Sequence, residues 1–130
     1  MASEGKNNAN FSFLSQEKLD SSFGNDTLVL TEVLISLKYE LLMDIRNIEL
    51  AVNDRNEVRV LNLLRKIKPA LDVIANQIFM NEFSKFELDV DSGSESALIK
   101  EFKMFKTRAL GLIEEVDVYL LRLKIEVADL

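Results

Sequence analysis

Hydrophobic side chains recur every three or four residues over three long stretches of this chain. The first stretch carries Leu30, Leu34, Leu37, Leu41, Ile45, Ile48 and Val52. The second carries Val60, Leu63, Leu64, Ile67, Leu71, Ile74 and Ile78, and the third carries Leu98, Phe102, Phe105, Ala109, Leu112, Val116, Leu120, Leu123 and Val127. This spacing keeps one face of an α-helix against a core. The pattern therefore predicts three long amphipathic helices.

Capping residues indicate where the helices begin. Ser15 is typical of the N-cap of a short first helix that ends near Gly24, and Asp26 of the N-cap of the long second helix. Asp54 with Glu57 resembles a capping box and predicts the start of the third helix. Three helix starts and one helix end are thus expected before the middle of the chain.

The remaining pattern completes an all-α fold. A phenylalanine-rich helix with Phe79, Phe83 and Phe86 follows the third stripe, and residues 89–96 are predicted to form a loop. With only four Gly and one Pro, long helices are favoured over short strands. We expect an up-and-down antiparallel four-helix bundle with a short N-terminal helix, formed as one domain by residues 13–130. A flexible arm, residues 1–12, is expected to precede it.

Composition narrows the classes of function. The formal charge is −6, with 16 basic residues mixed among 22 acidic ones, which argues against binding to nucleic acid. The absence of cysteine and of a long apolar run predicts a cytoplasmic protein without membrane insertion. Without His or Cys, and without a suggestive carboxylate pair, we expect no enzyme activity, no cofactor and no metal site. Glu114 and Glu115 point about 100° apart on a helix, which favours a solvated face.

Three further surfaces stand apart from the core stripes. Ile35, Tyr39, Leu42, Met43 and Leu50 lie on the opposite side of the second helix, where either the first helix covers them or they stay open for docking. The last helix also carries apolar residues outside its core stripe: Leu110, Val118, Leu121 and Ile125. These form either a self-association seam or a surface covered by the first helix or the arm. On the third helix, the outward residues are Asn62, Arg65, Pro69 and Asp72, flanked by Lys66 and Lys68.

Part of this pattern resembles a known family. Residues 53–58 (NDRNEV), followed by residues 64–70 (LRKIKPA), resemble the histidine phosphotransfer (HPt) domain of two-component phosphorelays. The family motif is His, any residue, Leu or Ile, Lys, Gly or Pro, and a small residue. Residues 19–26 resemble that family's short entry helix and its turn, so the resemblance covers about residues 13–125.

The resemblance implies a role for each matched position. Arg65 takes the place of the phospho-accepting histidine, Lys68 that of the lysine that attracts the phosphoryl group, and Pro69 and Ala70 those of the small residues that admit a receiver domain. A guanidinium has no lone pair with which to attack phosphorus. The resemblance therefore implies a pseudo-phosphotransfer domain that docks a response-regulator receiver or a hybrid sensor kinase.

Nine residues are predicted to form the receiver-docking site: Asn62, Arg65, Lys66, Lys68, Pro69, Asp72, Ile35, Tyr39 and Leu42. The alternative is a structural helical-bundle interaction module. Such a module would self-associate through the last helix, for example as a homodimer. Binding to receiver domains separates the two hypotheses.

Overall fold

The computed structural model describes residues 11–93 and 95–128, which form helices except for connecting turns and one isolated bridge between Leu14 and Ala75. The helices are α1 (Gln16–Phe23), α2 (Thr27–Asn53), α3 (Glu57–Ile74), α4 (Gln77–Asp91) and α5 (Glu95–Ala128). Within these ranges, none of them combines the length and apolar character that crossing a bilayer requires. The predicted arm falls outside the described residues except for Phe11 and Ser12. The predicted stripe residue Val127 and the predicted seam residue Ile125 lie outside the described side chains.

The predicted starts of α1 and α2 are confirmed. The Ser15 hydroxyl accepts a hydrogen bond from the Lys18 N–H at 3.1 Å, and the Asp26 carboxylate accepts one from the Val29 N–H at 3.2 Å. Each bond satisfies an amide that lacks an intrahelical partner. Gly24 follows α1 as predicted, with a positive φ of 57°.

The predicted start of α3 at Asp54 is wrong. Arg55 adopts a φ of 55°, and the N–H of Asn56 donates to the carbonyl of Ala51 at 2.9 Å, which closes the end of α2 as a Schellman motif. Asp54 belongs to this closing turn. The N-cap is Asn56, whose side chain accepts from the Arg59 N–H at 3.1 Å. The turn thus moves the start of the helix two residues along the chain.

Most of the predicted stripe residues are buried, and the exceptions mark the edges of the core. Leu37, Leu63 and Leu120 are only half-buried. Ile78 is 64% exposed, so its assignment to the stripe of the third helix is wrong. The reason is that Ala75 takes an extended conformation to form its bridge, which ends α3 and places Ile78 on the outer side of α4.

The aromatic residues of α4 pack into α5 as a cluster. The rings of Phe86 and Phe105 stack at 5.2 Å between centroids, and Phe83 lies 6.0 Å from Phe105. The helix continues to Asp91, so the connection to α5 is shorter than the predicted loop. This extra turn adds Val90 to the core.

The four long helices surround a single core. α2 packs against α3 and α5, and α4 packs against the same two helices from the other side. α1 lies against α2 and α3. Every long helix therefore has two long neighbours and one side left for solvent or a partner.

Candidate docking surface

The outer side of α3 carries four of the predicted docking residues. Asn62, Arg65, Pro69 and Asp72 are all exposed, because they lie away from the buried stripe that begins at Val60. In the described part of the chain, no ion pair involves the guanidinium of Arg65. We call these four residues the α3 face.

Lys66 is held by a neighbouring helix rather than left free. Its Nζ lies 3.0 Å from Oδ1 of Asp44 on α2. The Asp44 side chain is only 4% exposed, whereas that of Lys66 is 58% exposed. The lysine reaches inward from the surface to neutralise a buried carboxylate, so its main contact is structural.

Lys68 is engaged as well. Its Nζ lies 3.6 Å from Oε1 of Glu87 on α4. Together, Lys66 and Lys68 connect α3 to the helices on either side of it. Arg65 is therefore the predicted docking cation that keeps its charge fully available to a partner.

The predicted apolar face of α2 is open. Ile35 is 42% exposed, Tyr39 60% and Leu42 36%. α1 packs elsewhere on α2 and leaves these side chains uncovered, which decides between the two possibilities raised by the sequence. We call six exposed apolar residues on this side of the helix the α2 strip: Leu28, Ile35, Tyr39, Leu42, Met43 and Leu50. Val29 is exposed as well, but it lies about 80° from Tyr39 around the helix and is not part of the strip.

The α2 strip and the α3 face do not lie on the same side of the molecule. Asp44, which contacts α3 through Lys66, follows Ile35 by nine positions, and this places the two side chains about 180° apart around the helix. Ile35 instead lines a groove with Leu121 of α5. The structure thus divides the nine predicted residues into two surfaces.

Two grooves flank the α2 strip where it meets α5. The first has a volume of about 440 Å³ and is mainly apolar, with Leu28, Ile35 and Leu121 among its lining residues. The second, of about 450 Å³, lies further along the helices and is lined in part by Leu42 and Leu110.

Two ion pairs connect α2 to α5 beside these grooves. Lys38 lies 2.7 Å from Asp117, and Lys106 lies 3.0 Å from Glu49. The hydrogen bond to Asp117 raises the pKa of Lys38 above its ordinary value. Each groove is therefore bordered by an ion pair between the same two helices.

Glu115 has a role that the sequence did not reveal. Its carboxylate accepts hydrogen bonds from the backbone N–H groups of Ser12, Phe13 and Leu14 at 2.6, 2.8 and 2.9 Å. The prediction of a solvated face holds for Glu114, which is exposed, but is wrong for Glu115. The partners lie about a hundred positions away, and the only local signal is the pair Phe11 and Phe13 at the end of a polar segment.

These surfaces are suited to non-covalent binding. An arginine guanidinium stays protonated in proteins and offers five donors in a planar fork, so Arg65 can pair with a carboxylate or a phosphate but cannot act as a nucleophile. The chain contains neither His nor Cys.

Comparisons of the chain with models of known protein families, with curated proteins and with solved structures gave no match.

Proposed function

We propose that this chain is a pseudo-phosphotransfer domain of two-component signalling. In this proposal it binds a receiver domain, of a response regulator or of a hybrid sensor kinase, without accepting phosphate. The observation that carries the proposal is the position of Arg65: it is exposed on the outer side of α3, at the place of the histidine in the HPt-like motif. The cytoplasm, where receiver domains work, is the proposed compartment.

The arrangement of the helices supports the proposal. Short turns join α2 to α3 and α4 to α5, and Glu57 at the start of α3 lies beside Gly93 just after α4. We interpret this as an up-and-down antiparallel four-helix bundle. In such a bundle the middle of α3 presents its outer side to an incoming domain without obstruction from a loop.

Arg65 provides the binding chemistry. By the resemblance, a receiver's phosphorylation pocket is a cluster of carboxylates, and a guanidinium meets such a cluster with complementary charge and geometry. Pro69, which is exposed one turn further along α3, has a compact side chain that permits close approach. Lys66 and Lys68 contribute positive potential while remaining paired to Asp44 and Glu87.

A titration of the full chain with receiver domains from the same organism tests the proposal. We expect Arg65→Ala to weaken binding by about tenfold or more, because it removes the central charged contact. Arg59→Ala is the matched control, since Arg59 is also an exposed arginine on α3, and it should change the affinity by less than about twofold. Equal effects of the two variants, or no binding to any receiver, would reject the proposal.

The second candidate is a structural interaction module that associates through α5. The observation in its favour is that Leu110, Val118 and Leu121 are exposed, at 37%, 44% and 59%. Under this candidate, Val118→Asp would lower the molecular mass in solution, and no receiver would bind.

A further inference from the structure

The exposed face of α2 has a symmetric pattern about Tyr39. Two charged residues, Glu32 and Arg46, lie among the apolar residues of the α2 strip. Starting from Tyr39, strip residues and these charges occur four, seven and eleven positions away in both directions along the helix. At about 100° per residue Tyr39 and these six residues fall within an arc of about 80°, so they form one seam along the helix. Leu42 lies about 20° outside this arc, and its corresponding residue is Ser36.

The residues that correspond across Tyr39 are chemically complementary. Leu28 lies as far before Tyr39 as Leu50 lies after it, and Ile35 corresponds to Met43 in the same way. The third corresponding pair consists of Glu32 and Arg46, which carry opposite charges. When two copies of one helix pack antiparallel about a central residue, each side chain meets its corresponding residue in the other copy.

Both charged residues are available for such a contact. Glu32 and Arg46 are exposed, and within the described ranges neither takes part in an ion pair. In an antiparallel pair of α2 helices, Glu32 of each copy faces Arg46 of the other. The symmetry therefore produces two identical ion pairs that flank an apolar centre.

The size of the seam is sufficient for a weak to moderate dimer. From Leu28 to Leu50 the helix rises about 33 Å, and the seam together with the flanking grooves forms a contact about one to two helices wide, which covers about 350 to 650 Å². A standard interface buries about 800 Å² on each partner, so the seam and its grooves supply about half of this or more. The grooves lined by Leu121 and Leu110 lie beside the two ends of the seam and can receive side chains of the second copy.

From this pattern we infer that a second copy of the chain binds the α2 strip, with the two α2 helices antiparallel and a two-fold axis at Tyr39. The inference does not rest on receiver binding, because it needs only the chain itself. Dimerisation would nevertheless affect where a receiver can bind. Ile35, Tyr39 and Leu42 are predicted receiver contacts, but they lie on the opposite side of α2 from the helix that carries Arg65, so a second copy occupies these three residues and leaves the α3 face open to a receiver.

Light scattering of the full chain at micromolar concentrations is the first test. Each chain has a mass of 14.8 kDa, and we expect twice this value for the wild type and the single value for Tyr39→Asp. Val118→Asp is the matched control because it places the same charge at an exposed apolar residue of α5, and it should leave the dimer intact. A monomeric wild type overturns the inference. So does a dimer that is lost only in Val118→Asp, which would place the interface on α5.

A charge swap tests the orientation of the two helices. Glu32→Arg and Arg46→Glu should each weaken the dimer by about tenfold or more, because each change makes both ion pairs repulsive. The double variant restores opposite charges across the axis and should regain most of the affinity. An equimolar mixture of the two single variants should form a heterodimer for the same reason. If the double variant is as weak as the single ones, the antiparallel arrangement about Tyr39 is wrong.

Discussion

Asp44 is the buried charged side chain of the described core, whereas its partner Lys66 is largely exposed. Removing the lysine and removing the carboxylate should therefore lower the free energy of unfolding by different amounts. Lys66→Met would leave the carboxylate buried without its cation, and we expect this to cost about 1–3 kcal/mol of the free energy of unfolding. Asp44→Asn leaves only a lysine that can turn into water, so it should cost less. Urea unfolding measures both values.

A double variant provides the control for this pair. Asp44→Asn added to Lys66→Met removes the unpaired charge and should recover part of the lost stability. If Lys66→Met alone has no measurable effect, the ion pair does not contribute to the stability of the fold.

Placing a histidine at position 65 tests whether α3 presents this position to a receiver in a geometry that permits phosphotransfer. Because residue 65 is exposed on α3, an imidazole placed there by Arg65→His would be accessible to a bound receiver. We expect acid-labile phosphate on Arg65→His after incubation with a phosphorylated receiver, and more of it when Pro69→Gly is added. Arg59→His, elsewhere on the same helix, should remain unlabelled. Labelling depends on position as much as on the nucleophile, so labelling of both histidine variants would show that residue 65 has no special geometry.

At the scale of single elements, the helices themselves could be predicted because each one carries its own pattern. The three-and-four spacing identified the buried faces of α2, α3 and α5, and Ser15 and Asp26 were confirmed as caps. The start of α3 was missed because it depends on the conformation of Arg55, whose positive φ is unusual for a residue with a side chain. The end of α3 depends on the bridge from Leu14 to Ala75, which no local pattern indicates.

The contact between Glu115 and the segment before α1 leads to a prediction about that segment. Glu115→Gln would replace one accepting oxygen by a donor and remove the charge, so the three amides of residues 12–14 would have to share one neutral oxygen. We expect these amides to exchange with deuterium at least tenfold faster and the free energy of unfolding to fall by about 1–3 kcal/mol. Glu114→Gln alters the exposed neighbour and should change neither value. Unchanged exchange in Glu115→Gln would mean that other contacts, such as that of Phe13 with Phe79, hold the segment in place.

At the scale of the whole molecule, the predicted docking site separates into the α3 face and the α2 strip. Helical periodicity indicated that both surfaces point away from the core, and their residues are exposed. It could not indicate which long helix would lie on each side of α2, and that arrangement decides whether the surfaces join. With α3 on the side of Asp44 and α5 on the side of Ile35, one molecule has room for two different contacts.

We propose above all that the chain binds a receiver and accepts no phosphate from it. The most direct measurement is to mix the wild-type chain with a receiver carrying a radioactive aspartyl phosphate, separate the complex by size, and determine which protein carries the label. We expect the two proteins to elute together with all of the label on the receiver, and this co-elution to be lost in Arg65→Ala. Acid-labile phosphate on the wild-type chain, or separate elution of the two proteins for every receiver tried, would contradict the claim.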